Sequence, residues 1–430
     1  MRTRQALTDR RLGRRLHFLT VPVVAAAIAA TSFSAQAADI VLVVGDSSNS
    51  GFNDPTPVEP VGGNGGNTLG AQRRIAFRYA AAILGSRVQS TVPIRIEAAF
   101  DSTFACGRNS ATLASASPVT FVANFTSQSP REANIFYPLA LANALRGRRV
   151  SNTVNDVTAR FNPGLDSNAD CLGGEGWYYG IDGATPDDQP SFVSTVGHEL
   201  THGLGFVSLV AVASGDGNQP GQFPRSPSGT RYPDIYSSFI QDLEVSGQPF
   251  WPDLTDEQRR ESLTNTPNVV FAGDSTNANG APALTQGTNQ GRVKIYTPAA
   301  LSRSSSIAHW DPSLGPDQIM EPFATGGDTV TRGIGLSSCV LQDIGWPLAN
   351  GTRCPDDSNE AIQGDMTADD VEVEQPVEMV AGGQSASRDD DDGGSGGGGC
   401  TIADNARFDP LWMLLLVAAA GAVLRRRRTA

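Results

Sequence analysis

Two histidines four residues apart, with a glutamate directly after the first, constrain this chain more than any other feature. They lie in TVGHELTHGLGF, Thr195 to Phe206. Residues four apart share one face of an α-helix, so His198 and His202 can aim at one ion. Glu199, about 100° round the helix from His198, stays close enough to handle a proton there. The flanks read as a helix: Ser191 is a candidate N-cap, Phe192, Val193, Val196 and Leu200 offer an apolar side, and Gly203 and Gly205 are stop signals. The bland alternative is a pair of satisfied histidines on an ordinary helix. Scarcity argues against it, because the chain holds four histidines and they are His17, His198, His202 and His309. A catalytic zinc typically takes three protein ligands. With His17 inside a candidate export signal, His309 is the natural third.

The pair HELTHGLGF and, far downstream, AHWDPSLGPDQIMEP resembles the leishmanolysin branch of the metzincin metallopeptidases, a group with bacterial exported members. The resemblance implies a third ligand in a distant His-Trp pair, here His309-Trp310, ahead of a methionine in a tight turn beneath the zinc, here Met320. The segment ending in DIGW is also similar. The implied fold is α+β: a twisted sheet, the HExxH helix, a long insertion before the third ligand, and the methionine turn. The implied activity is zinc-dependent endopeptidase cleavage of protein or peptide substrates, with Glu199 as general base toward a water activated by the ion. Gly205 fits a sharp exit from the helix, since glycine adopts positive φ at low cost. The likeness is good over Val193–Phe206 and Ile307–Trp346 and loose elsewhere. It departs in two places. Most metzincins place the third histidine three residues after the motif glycine, where this chain has Ser208. Glu321 and Pro322 follow Met320, so no nearby tyrosine can be assigned a role.

Other readings compete with this one. Asp234 in GTRYPDIYSSF loosely resembles the ligand of aspartate-liganded zinc peptidases, although Arg231-Tyr232-Pro233 break the expected spacing. Glu244 in QDLEV is a glutamate alternative for the third ligand. A catalytically inactive surface adhesin is the reading from a different class, and an intact Glu199 argues against it. DSNADC and SGDGN cluster oxygen ligands of the kind Ca2+ uses, yet neither completes a calcium loop and both read as turns.

The two ends read as processing segments. Residues 1–37 combine an arginine-rich start, the apolar run LTVPVVAAAIAATSF and Ala35-Gln36-Ala37, the pattern of a signal peptide. Residues 38–355 form the expected catalytic domain, and 356–399, which lack apolar periodicity, are expected to be an acidic and Gly-rich disordered linker. Residues 400–430 hold Cys400, the apolar run 411–424 and Arg425–Arg428. This end resembles the C-terminal sorting tails of Gram-negative bacteria, which implies a membrane contact, cleavage near Cys400 by a sorting protease, and a surface or secreted location. Residues 38–399 carry 21 Lys+Arg against 42 Asp+Glu, a net charge of −21 that disfavours nucleic-acid partners. Setting Cys400 aside leaves Cys106, Cys171, Cys339 and Cys354. Four cysteines allow three pairings; Cys106–Cys171 with Cys339–Cys354 is expected, because the second pair closes a short loop.

Between these features the pattern alternates strand and helix. IVLVV, PIRIEAAFD, VTARFNP, GWYYGIDG, NVVFAG and RVKIYTP read as strands or strand pieces. AQRRIAFRYAAAILGSRV, Pro138–Leu145, LTDEQRRESLTN and GIGLSSCVLQDIGW read as helical.

Overall fold

The computed structural model describes residues 37–124, 133–215, 217–324, 333–356 and 398–403, the last six as backbone only. The expected signal peptide, almost all of the linker, and the apolar and arginine segments of the tail lie outside the described residues. Among the described residues no helix is long and apolar enough to cross a membrane.

The first half of the chain runs β1 (Ile40–Val44), α1 (Leu69–Gly85), β2 (Ile94–Phe100), β3 (Ser110–Pro118), β4 (Phe121–Ala123), β5 (Phe136–Pro138), α2 (Leu139–Arg146), β6 (Val157–Phe161), α3 (Gly164–Ser167) and α4 (Phe192–Leu204). The second half runs β7 (Ile240–Asp242), α5 (Asp256–Ser262), β8 (Val269–Phe271), α6 (Ala281–Ala283), β9 (Thr288–Asn289), β10 (Arg292–Lys294), α7 (Ser337–Ile344) and β11 (Gly398–Ala403). The fold class is α+β.

A five-stranded sheet in the order β1-β2-β6-β3-β11 organises the first half. β1, β2 and β6 are parallel, with Ile40 opposite Ile94 and Ile96 opposite Val157. A parallel pair needs a crossover, and α1 supplies it between β1 and β2. Thr68 caps α1 by accepting a hydrogen bond from the Ala71 amide at 3.2 Å. β3 runs antiparallel to β6, and β11 antiparallel to β3. The strand residues alternate as the pleat requires, and Ile94, Ile96, Ala98, Val157, Ala159 and Phe161 are buried. α4 packs against α1, β6 and β3.

A smaller antiparallel sheet, in the order β7-β8-β10-β9, builds the second half. An isolated bridge between Ile295 and Trp310 continues β10 toward His309. α5 starts with a full capping box, Thr255 and Gln258 each satisfying the other's amide.

Both expected disulfides form, Cys106–Cys171 and Cys339–Cys354. They suit an oxidising compartment. Asp356 is tied to the folded body: it pairs with Arg87 at 2.8 Å and accepts from the Ile334 amide at 3.1 Å. The chain returns at β11, where Cys400 lies opposite Ala114.

Two local expectations need correction, and one strand is not visible in the sequence pattern. GWYYGIDG forms no strand: only Tyr178 bridges, to Ser191, while Trp177 Nε1 donates to the Asn162 carbonyl at 2.9 Å and the Tyr179 hydroxyl to Asp166 at 2.6 Å. Its aromatics are core plugs on an irregular backbone. β3 is a strand that sequence patterning does not flag, because SATLASASP lacks the branched and aromatic residues that mark strands. Gly203 is not a helix stop, for the packing reason given below.

Cys339 sits in α7 and Cys354 near the anchored Asp356, at a sequence separation of 15. Replacing both by alanine should therefore lower unfolding free energy by about 3 kcal/mol, the loop-closure value. Denaturant titration of the double variant measures this, and an unchanged midpoint would show that the bridge is not what fastens α7.

Candidate metal centre

The centre begins with the sequence that makes α4 a helix. The Ser191 side chain accepts from the Ser194 amide at 3.2 Å, and the hydroxyls of Thr195 and Thr201 donate to the carbonyls four residues back. Phe192 nails the first turn into the core, with ring centroids 4.9 Å from Phe161, 5.3 Å from Trp177 and 5.1 Å from Tyr179. At the other end Trp346 Nε1 donates to the Leu204 carbonyl at 2.8 Å. The DIGW segment thus caps the HELTH helix directly.

The two glycines do different work. A Cβ on Gly203 would lie 2.5 Å from Val157 Cγ1, so α4 can approach β6 only with no side chain there. Gly205 has φ +124° and ends the helix; the Phe206 amide bonds back to the Thr201 carbonyl at 3.2 Å. This reversal brings the Phe206 carbonyl to His202 Nδ1 at 2.7 Å.

The three expected histidines meet. His198 Nε2 lies 3.1 Å from both His202 Nε2 and His309 Nε2, and the remaining pair is 3.3 Å apart. Each Nδ1 faces a backbone carbonyl: His198 that of Ile319 at 2.5 Å, His202 that of Phe206 at 2.7 Å, and His309 that of Ser305 at 2.8 Å. A carbonyl only accepts, so each Nδ1 carries the proton and each Nε2 presents a lone pair to the common point. Burial presses His198 down to about 4 and holds His202 and His309 well below the ordinary imidazole range, each further lowered by neighbouring imidazoles in the last two cases. Neutral imidazole is the metal-binding form.

The donor set fits a metal ion. Four-coordinate zinc with bonds of about 2.0–2.1 Å places its nitrogen ligands roughly 3.3–3.4 Å apart, close to the separations here. Among the described residues this is the group of His, Cys, Asp or Glu side chains that could hold an ion. Glu199 is fully buried, one residue from His198.

Met320 is fully buried in a turn that runs from Gln318 to Glu321, closed by the Glu321 amide on the Gln318 carbonyl at 3.0 Å. Its carbonyl accepts from the Trp310 amide at 2.9 Å. The residue before it orients His198. The turn therefore links the His309-Trp310 segment to α4: the Met320 carbonyl holds the Trp310 amide and the Ile319 carbonyl holds the His198 ring.

The rival ligands lie elsewhere. Asp234 is buried, and its carboxylate accepts from the Leu209 amide at 2.8 Å and the Ser237 amide at 2.7 Å. Burial raises its pKa, and these amide bonds act against the rise. Ser208 joins the same patch through Ser237 Oγ at 2.8 Å. Both shape the chain just after Gly205. Glu244 is exposed and accepts from Asn268 at 3.2 Å. In the calcium-like DSNADC segment Asp166 pairs with Arg73 at 2.8 Å and Asp170 with Arg108 at 2.7 Å; Asp216 of SGDGN lies outside the described residues.

Sequence reading misses the orienting carbonyls of Phe206, Ser305 and Ile319. Every residue has a carbonyl, so no residue type announces them. One geometric signal does exist: Ile307 has φ +74°, uncommon for a β-branched residue. Such strain costs about 1–3 kcal/mol and is held by surrounding contacts, here the Tyr236 hydroxyl on the Ile307 carbonyl at 3.0 Å.

No protein-family model, curated protein or solved structure matches this chain.

Two outcomes are expected. Bound metal per protein after dialysis should fall sharply in His309→Ala and stay at the parental level in Asp234→Asn and Glu244→Ala; the reverse order would remove His309 from the ligand set. Gly203→Ala should destabilise the fold by about 1–3 kcal/mol through overpacking, read as a lower Tm; an unshifted Tm would mean that β6 yields freely.

Proposed function

We propose that this chain is an exported zinc-dependent endopeptidase of the metzincin type, similar to the leishmanolysin branch. One observation carries the reading: three buried Nε2 atoms lie 3.1–3.3 Å apart, oriented by backbone carbonyls, and two of them come from the helix that also carries the buried Glu199. Among the described residues no fourth His, Cys, Asp or Glu joins the three. Structural zinc usually has four protein ligands, catalytic zinc three.

A bound zinc ion would lower the pKa of water to about 7 and polarise a carbonyl oxygen. The protein's own part is proton handling and placement. Glu199 takes the proton from the attacking water as the new C–O bond forms, and passes it to the amine nitrogen as the C–N bond breaks. The carbonyls of Ile319, Phe206 and Ser305 hold the imidazoles through this change. The buried turn at Met320 and the meeting of His309 with the helix pair support the metzincin reading, since that family's sequence pattern calls for both. The two disulfides and the candidate signal peptide support an exported location at the bacterial surface or beyond, with protein or peptide substrates.

Glu199→Gln should keep bound zinc at the parental level and lose at least about 10²-fold in casein or gelatin digestion, the usual contribution of a general base. Chelator should abolish parental digestion and added zinc restore it. Digestion retained by Glu199→Gln would defeat the proposed role, and zinc binding without any digestion by the parent would favour an inactive surface protein.

A further inference from the structure

A sheet edge presents a row of unpaired amides and carbonyls, a template to which an extended peptide adds as a further strand. The five-stranded sheet has two sides that could serve. At one side β1 is separated from β3 by β2 and β6. At the other, β3 would be the edge, and β3 packs against α4, the helix of His198, Glu199 and His202. An extended peptide bound beside this helix therefore has one strand to pair with.

That strand is taken by the chain itself. β11, Gly398–Ala403, pairs antiparallel along β3 from Ala116 to Ser110, with one register shift between Cys400 and Thr401, and it too packs against α4. The connection from Asp356 spans 41 residues, 357–397. Asp356 is independently held by Arg87, the Ile334 amide and the Gly335 carbonyl. Removal of β11 thus leaves the anchoring of the folded body intact. A second observation agrees: Glu199, His202 and His309 are 0% exposed and His198 2%. A substrate reaches them only after something moves.

We propose that Gly398–Ala403 is an internal competitor for the peptide cleft, occupying the β3 edge that an extended substrate must use. This rests on the peptidase reading for its consequence, though not for the pairing itself. The competitor is a plain Gly-Gly-Cys-Thr-Ile-Ala segment held by backbone pairing, so release needs no chemistry, only a peptide that binds better or a change that draws the segment away.

The test uses the full chain and Thr401→Pro, which removes one amide donor and breaks strand pairing, with Ile402→Pro as a second variant. Hydrogen exchange at Ala111–Ala116 should be slow in the parent and faster in both variants. KM for an extended peptide should fall about tenfold with kcat unchanged if the edge is covered in about nine molecules of ten. The synthetic peptide GGCTIA, added to Thr401→Pro, should restore slow exchange in β3 and inhibit competitively. Equal exchange in parent and variants, or no effect of the peptide on either readout, overturns the proposal. If no protein cleaves substrate while exchange and peptide binding behave as stated, the peptidase reading fails and the edge-binding segment stands.

Discussion

Neutral imidazole nitrogens do not gather 3.1–3.3 Å apart by their own attraction. Each Nε2 here offers a lone pair, and like dipoles held point to point in a buried site repel one another. The arrangement persists because every ring is fixed from behind by a carbonyl, and because a cation at the centre would turn repulsion into coordination. Those carbonyls belong to Phe206, Ser305 and Ile319, three separate segments. Much of the rest of the fold can be understood as the means of delivering them.

The delivery is economical. α4 is fixed at its start by the aromatic cluster around Phe192, along its length by Gly203 against Val157, and at its end by Trp346. With the helix rigid, the turn at Gly205 sets the Phe206 carbonyl, and Asp234 then holds the chain beyond it through the Leu209 amide. The small sheet brings His309 in as a continuation of β10, where the Tyr296 amide donates to the His309 carbonyl at 2.9 Å. Met320 closes the circuit through Trp310. Rigid elements support ligands more tightly than loops would, which a site needing sub-ångström placement requires.

Some of this was legible along the chain, and for identifiable reasons. His198, Glu199 and His202 announce themselves because helical periodicity is a local rule. His309 follows from the small number of histidines available. The disulfides followed from an even set of cysteines and one short loop. β3 is not legible in the sequence because a Ser/Ala-rich strand becomes a strand only when β6 pairs with it. GWYYGIDG reads as a strand but is not one, because aromatic content marks burial and not backbone shape. A glycine near a helix end, such as Gly203, has two explanations, and only the proximity of Val157 chooses between them.

Local chemistry thus specified which side chains could bind a metal and which glutamate could move a proton. It could not specify where the three rings would sit, since His202 and His309 stand at a sequence separation of 107 and no local preference acts over that span. Nor could it reveal that Ile319, Phe206 and Ser305 are the acceptors, because all backbone carbonyls are chemically alike. Those choices belong to tertiary packing, which alone decides which identical groups end up next to one another.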